Sequence, residues 1–299
     1  MQRKFIYLIN PVSGTEDKKS IIKLLEKKTR QQNIPFEILQ TSEKGNYNFL
    51  IEKIALEKIT DIIICGGDGT VNEVASALLG ITINIGIIPM GSGNGLAFAA
   101  GIKKKPAPAL EIIFAGKSAF IDSFYINKKF SCMLCGLGFD ALVAQEFARQ
   151  PARGVATYIK QSLQHFFTAR TYPFTIFINN TEIHTESFFI SIANSNQFGN
   201  NVTIAPKASI CDGLLDIVVV NKMSKIKMVY TLLKQVRLGQ VMLPAERKYH
   251  AEDILYFQAK KLQIYNPALA PFHIDGSPAT TSENFEIEII EKAFRLIQP

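Results

Sequence analysis

Residues 61–79 read DIIICGGDGTVNEVASALL. Three consecutive isoleucines, Ile62 to Ile64, in a short apolar run closed by glycines predict a strand, Asp61–Cys65, buried on both faces. Val71–Leu79 carries apolar residues at helical spacing and predicts a helix. Between them lies Gly66-Gly67-Asp68-Gly69-Thr70, where three glycines in four positions let the backbone turn sharply and approach a ligand with no Cβ in the way. The N–H groups that open the following helix make such a turn an anion site. Thr70 and Glu73 also match the T-x-x-E capping box, which by itself accounts for both residues as a helix start. It does not account for Asp68, whose carboxylate is unfavourable beside a phosphate cradle unless a cation such as Mg²⁺ bridges the two.

Outward from this unit, residues 1–123 alternate short apolar runs with helical patterns, which predicts parallel β/α units in a doubly wound sheet. Expected strands are Lys4–Ile9, Phe36–Leu39 and Ile83–Ile88; expected helices are Lys18–Gln32, Tyr47–Glu57, Leu96–Ala100 and Ala107–Ala115. Ligands of such a sheet sit at the carboxyl ends of its strands. Two more glycine-bearing turns follow strands here, Asn10-Pro11-Val12-Ser13-Gly14 and Pro89-Met90-Gly91-Ser92-Gly93-Asn94-Gly95, and three such turns suggest one polyphosphate site. Neither G-x-G-x-x-G nor G-x-x-x-x-G-K-[ST] occurs at these turns. From residue 124 to 299 the texture changes to alternating strands, among them Phe130–Leu137, Phe174–Ile178, Ser187–Ala193, Leu215–Val220 and Phe285–Ile290. Those predict an antiparallel β-sandwich domain, interrupted by helical insertions at Gly154–Thr168 and Lys225–Leu238.

The 299 residues are 47% hydrophobic and 20% charged, which excludes collagen-like, low-complexity and disordered chains. A net charge of +7 favours anionic partners, but it is spread over both halves and points to no nucleic acid. Cys65, Cys132, Cys135 and Cys211 are too few for a disulfide scaffold; Cys132-x-x-Cys135 lies in a strand pattern and reads as a buried structural pair. His165, His184, His250 and His273 are scattered, and no metal cluster is assigned to them. The apolar run after Arg3 and Lys4 is too short for a signal peptide, and the uncharged stretch Val74–Ile102 is broken by glycines. A cytoplasmic chain with peripheral lipid contact is the expectation.

These motifs in this order resemble the diacylglycerol kinase catalytic-domain family, which includes sphingosine and ceramide kinases and bacterial lipid kinases. The matching residues are Asn10-Pro11-x-Ser13-Gly14, Gly66-Gly67-Asp68-Gly69-Thr70 with Asn72-Glu73, Pro89-x-Gly91-Ser92-x-Asn94, Gly138-Phe139-Asp140, Asp212-Gly213-Leu214-Leu215 and Asp275-Gly276. The resemblance implies an ATP-binding domain over 1–123, a lipid-substrate domain over 124–299, and transfer of the ATP γ-phosphate to a lipid hydroxyl, diacylglycerol-like alcohols first. Its nucleotide contacts would fall on Asn10, Pro11, Val12, Ser13, Gly14, Thr41, Gly66, Gly67, Asp68, Gly69, Thr70, Val71, Asn72, Glu73, Gly91, Ser92 and Asn94. Its structural Mg²⁺ would fall on the Asp212 carboxylate and the carbonyls of Ser209 and Leu214.

Three positions depart from the family pattern. Ser92 replaces a Thr, Gly95 an Asp, and the family's Asp-Gly-Glu, whose Glu is the general base, reads Asp275-Gly276-Ser277. Serine cannot serve as a base without a partner. The catalytic assignments are therefore Asp68, holding phosphate-bound Mg²⁺, and Asp275, orienting or deprotonating the lipid hydroxyl. NAD kinase and a nucleotide- or lipid-binding pseudokinase are the alternatives. Basic residues beside aromatics in and around the two insertions, Arg149, Arg153, Lys160 and Arg170 flanking Tyr158 and Phe166, then the stretch Lys222 to Arg237, suit an anionic membrane at its inner face. A homodimer is one candidate assembly.

Overall fold

The computed structural model describes residues 2–14, 17–42, 45–150, 164–165, 168–197, 205, 207–224 and 254–299. The chain divides into two units, Met1–Asp122 with Glu291–Pro299 and Ser123–Ile290.

In the first unit four strands, β1 (Phe5–Ile9), β2 (Phe36–Gln40), β3 (Asp61–Gly66) and β4 (Asn84–Pro89), lie parallel in the order β2–β1–β3–β4. Helices α1 (Lys18–Gln31), α2 (Asn48–Glu57), α3 (Asp68–Ala77), α4 (Gly95–Ala99) and α5 (Pro106–Ala115) occupy the connections. Every residue of β1 and β3 is buried, as strands covered on both faces must be. Complete burial of Ile62, Ile63 and Ile64 contributes about 1.5–3 kcal/mol each. The pairing is in step: Ile9 lies opposite Cys65 and Cys65 opposite Ile88, so the turns after β1, β3 and β4 leave the sheet at one level.

A boundary after residue 123 assigns the whole C-terminus to the second domain. The structure returns Glu291–Pro299 to the first unit, where Arg295 pairs with Asn84 and Leu296 with Ile85 in parallel. Without them the backbone of β4 would present an unpaired edge there.

The second unit is antiparallel. Strand β5 (Ser118–Ile126) enters it, followed by β6 (Lys129–Ser131), β7 (Leu134–Gly138), helix α6 (Phe139–Arg149), β8 (Tyr172–Ile178), β9 (Thr181–Ala193), β10 (Leu215–Asn221), β11 (Ile254–Ala259), β12 (Lys261–Tyr265), β13 (Phe272–Ile274), β14 (Ser277–Ala279) and β15 (Asn284–Ile297). The long strand β9 organises them. It pairs with β8 through Thr181–Ser187, with β7 through Phe189–Ala193, and with β10 through Ser187–Ala193. The core between the strands is made of alternate residues, among them Ile176, Ile190, Ile192, Ile217 and the ring pair Phe272–Phe285, with centroids 4.8 Å apart.

The run Phe130–Leu137, expected as one strand, is two. The N–H groups of Cys132, Met133 and Leu134 turn aside to bond the carboxylate of Asp275, which interrupts the strand between β6 and β7. Cys65, Cys132 and Cys135 are buried thiols, Cys211 is exposed, and none is in a disulfide. Of the insertion Gly154–Thr168 only residues 164, 165 and 168 are described, and Lys225–Leu238 lies outside the described residues altogether. Among the described residues no helix is long and apolar enough to cross a membrane.

At the amino edge of the first unit Asp61 is fully buried. Arg3 meets it with two hydrogen bonds of 2.7 and 3.1 Å, and Thr60 and Asn84 complete its shell. Removing one partner of a buried pair leaves a charge with no compensation. Arg3→Met should lower stability by about 3–5 kcal/mol, read as a shift in urea unfolding of the first unit. Arg3→Met combined with Asp61→Leu should recover most of that loss.

Candidate active site

Four of the predicted site segments end strands of the first unit. The Asn10 side chain closes its own turn by accepting the N–H of Val12 at 3.0 Å, and donates to Thr70 Oγ1 at 2.8 Å. The turn after β1 is thereby tied to the helix after β3. Pro11, Val12 and Gly14 are exposed, and Lys18 donates to the Ser13 carbonyl. Thr41 follows β2: its N–H bonds Ile9 O at 3.0 Å and its side chain bonds Tyr47.

Helix α3 starts at Asp68, three residues before the expected Val71, with Gly67 as its N-cap. Asp68-Gly69-Thr70 is thus its first turn, and the N-cap supplies no side-chain hydrogen bond. This overturns the capping box. Thr70 sits inside the helix, with its hydroxyl taken by Asn10, and Glu73 turns toward the Tyr47 hydroxyl at 3.5 Å. Burial pushes the Glu73 carboxyl up, and the Tyr47 hydrogen bond partly offsets it. Val71 is buried in the core, whereas Gly69 is exposed and Asp68 and Asn72 are half-buried.

The turn after β4 lies against the turn after β3. A Cβ placed on Gly91 would stand 2.6 Å from the Gly67 Cα, and one on Gly67 would stand 3.0 Å from the Gly91 Cα. Backbone meets backbone here, so no side-chain adjustment could make room. Gly14 abuts the Met90 carbonyl, which brings the first turn to the same place. Asn94 is buried in the left-handed conformation; its Oδ1 accepts from Gly91 N at 2.8 Å and its Nδ2 donates to Gly91 O at 2.6 Å. Both arms of that side chain therefore shape the loop. Ser92 is half-buried beside it.

The remaining predicted residues belong to the second unit. Asp275 and Gly276 are the two central residues of the β13–β14 hairpin, both with positive φ (47° and 76°), as a type I′ turn requires. The Asp275 carboxylate points inward: Oδ1 accepts from Ser131 Oγ at 2.7 Å, Met133 N at 3.1 Å and Leu134 N at 3.0 Å, and Oδ2 from Cys132 N at 3.3 Å. Such a carboxylate anchors the hairpin. Its lone pairs face the protein, which leaves it suited to orienting the turn rather than to accepting a proton from a ligand.

Ser209, Asp212 and Leu214 lie in one turn, where Asp212 Oδ1 accepts from Leu214 N at 3.1 Å and Gly213 is left-handed at φ 72°. Two residues on, Asp216 Oδ2 is buried with no hydrogen-bond partner, and burial pushes that carboxyl up to about 7. The Asp212 carboxylate and the carbonyls of Ser209 and Leu214 are hard donors, of the kind that Mg²⁺ or Ca²⁺ takes. Among the described residues no group of three or more His, Cys, Asp or Glu side chains could hold a metal.

One pair escaped the sequence reading. His273 is fully buried with Nε2 3.3 Å from Asp140 Oδ2, although 133 residues separate them. The signal lay in Asp140, which was singled out only as part of Gly138-Phe139-Asp140, and in the position of His273 two residues before Asp275.

Comparison with known proteins agrees with this geometry. Residues 4–126 match the model described as diacylglycerol kinase catalytic domain, and residues 134–297 match that described as YegS C-terminal NAD kinase beta sandwich-like domain. The chain belongs to this family, and family membership makes it a kinase, a phosphotransferase. Among its relatives, a protein of Enterobacter sp. (strain 638) named "Probable lipid kinase YegS-like" is 28% identical over 280 residues, covering 90% of this chain and 88% of that one. A Shigella boydii protein named "Probable lipid kinase YegS" is 29% identical over 283 residues, with the same coverage of 90% and 88%. The fold is that of a crystal structure of a diacylglycerol kinase from Bacillus anthracis str. Sterne, with a TM-score of 0.77 at 22% identity over 99% of this chain and 97% of that chain.

The Gly67–Gly91 contact makes a sharp stability prediction. Gly91→Ala should cost about 1–3 kcal/mol in urea unfolding, because the overlap is between backbones. Gly69→Ala should be neutral or stabilise by about 0.5–1 kcal/mol, since a Cβ there meets nothing within 4 Å.

Proposed function

We propose that the protein is an ATP- and Mg²⁺-dependent lipid kinase that transfers the γ-phosphate to a lipid hydroxyl, with a diacylglycerol-like alcohol as acceptor. The observation that carries this is the junction of Asn10–Gly14, Gly67–Thr70 and Met90–Asn94 at the carboxyl edge of one parallel sheet. Backbone approaches backbone there, and a helix N-terminus without a side-chain cap opens onto the turn. That is a phosphate cradle. The names of the relatives supply the lipid.

In this reading the N–H groups of the first turn of α3 bind phosphate oxygens, with Gly69 admitting the ligand to the backbone. Asn10 and Thr70 hold the turns after β1 and β3 in register. Asp68, at the first position of α3, would hold a magnesium ion, whose chemistry would be to neutralise charge on the phosphates. On the acceptor side Asp275 fixes the hairpin that ends in Ser277, in the place of the family's Glu, and so orients the hydroxyl. Ser209, Asp212 and Leu214 hold a second, structural Mg²⁺. Phosphoryl transfer rests mainly on positioning and electrostatics, so a site without the Glu keeps catalysis at a reduced rate.

The lipid acceptor requires contact with a membrane surface, and the basic residues beside aromatics, with a net charge of +7, support a peripheral, salt-sensitive association with anionic lipid at its inner face. Of the basic residues in the proposed surface, Arg149 pairs with Glu146, Lys222 with Glu186, and Arg170 bonds and stacks on Tyr172. Arg149 and Lys222 stay largely exposed in these pairs, and exposed ion pairs are weak, so their charges remain open to an anionic surface. Binding to anionic vesicles should weaken as salt rises. Equal binding to neutral vesicles would refute it.

The decisive experiment offers labelled ATP with total lipid extract and, separately, with NAD. Label should enter lipid alone; label in NAD would favour the NAD kinase reading, and label in neither the pseudokinase. Asp68→Asn should abolish transfer while leaving the unfolding midpoint unchanged. Ser277→Glu should raise kcat by about 10²–10⁴-fold, the usual contribution of a placed general base.

A further inference from the structure

We propose that His273 and Asp140 form a positioning pair that sets the Asp275-Gly276-Ser277 turn through the protonation pattern of one buried imidazole; this rests on the reading that the turn serves the acceptor hydroxyl. The His273 ring has both nitrogens committed. Nδ1 accepts the N–H of Gly276 at 3.2 Å, and Nε2 faces Asp140 Oδ2 at 3.3 Å. A backbone N–H can only donate, so Nδ1 must carry a lone pair and the ring proton must sit on Nε2, toward the carboxylate. Asp140 is itself held at the start of α6, where its Oδ1 accepts from Ala141 N at 2.8 Å. The imidazole therefore has one tautomer available to it.

The fold has made space for this pair. His273 lies opposite Gly136 in the β13–β7 register, and a Cβ on Gly136 would stand 2.7 Å from both His273 Nε2 and Asp140 Cγ. Any other residue at position 136 would drive the two apart. The hairpin is consequently held at both central residues: Asp275 by its carboxylate on Ser131, Met133 and Leu134, and Gly276 by its N–H on His273. With no glutamate at 277, the placement of this turn is what remains to orient the acceptor, and misplacement by about 1 Å costs on the order of 10²-fold in rate.

Substitution of single atoms tests the pair. Asp140→Asn keeps the volume. Its carbonyl retains the Ala141 N–H, so its amide donates toward His273 Nε2, which must then accept; the ring proton moves to Nδ1 and confronts the Gly276 N–H. His273→Asn keeps an acceptor at the place of Nδ1 and dispenses with the tautomer, whereas His273→Gln keeps the donor at the place of Nε2 and loses Gly276. Kinetics should show kcat for lipid about 10²-fold lower in Asp140→Asn and His273→Gln, with KM for ATP unchanged, and kcat within about threefold of the parent in His273→Asn. Asp140→Asn should add nothing in the His273→Asn background.

An NMR readout separates this proposal from the kinase reading. In protein labelled with ¹⁵N-histidine, the His273 ring should show a bare Nδ1 and a protonated Nε2, reversing in Asp140→Asn together with a shift of the Gly276 amide. A protonated Nδ1 in the parent, or a reversed ring in Asp140→Asn with kcat within twofold, would overturn the positioning role. If the parent phosphorylated no lipid, the kinase reading would fall, and the ring and Gly276 shifts would still decide whether the pair sets the turn.

Discussion

Where the backbone of Gly67 meets that of Gly91, two turns of a parallel sheet come close enough that Gly91 has no room for a Cβ and Gly67 has barely any. The contact is possible because β3 and β4 are adjacent and in register, with Gly66 opposite Pro89 at their ends. Parallel strands have their carboxyl ends on one side, so each βα connection must turn there. Three such turns are thereby packed together, backbone against backbone. Helix α3 begins at that junction, and Asp68, Gly69 and Thr70 belong to it for that reason. The polar cross-link from Asn10 to Thr70 then holds the third turn to the same helix.

Two buried carboxylates brace the units in different ways. Asp61 is neutralised by a guanidinium, with Arg3 bonding both oxygens at the amino edge of the first unit. Asp275 is satisfied by N–H and O–H dipoles from Ser131 to Leu134, gathered by the break between β6 and β7. A carboxylate bound by backbone dipoles is tied to the conformation of that backbone, so Asp275 couples the β13–β14 hairpin to the β6–β7 junction. The His273–Asp140 contact adds a second tie from α6 to the same hairpin. The Asp275-Gly276 turn is thus tied to its unit at both central residues.

The glycine turns, the buried strand Asp61–Gly66 and the change of texture near residue 123 are legible in the sequence because each is a local signal. Apolar runs report strands covered on both faces, glycines report turns, and alternation reports antiparallel strands. The family was legible too: its two models match residues 4–126 and 134–297, although the relatives are only 27–29% identical. Local signals misplaced the start of α3: Thr70-x-x-Glu73 satisfies the rule for a capping box, and only the Asn10 side chain, 60 residues away, shows why Thr70 is occupied otherwise.

What the sequence by itself determined is the fold class, the strand–turn–helix units and the glycine-bearing turns that end the strands of the first sheet, all set by contacts within a few residues. Tertiary structure alone decided that Glu291–Pro299 completes the first sheet, that Asp275 is an anchor held by residues 131–134, and that His273 meets Asp140. Those outcomes rest on edges, buried charges and donors that find partners more than a hundred residues away. The periodicity of a chain reports which face of an element is buried. It carries no record of which distant atom will satisfy a polar group on that face.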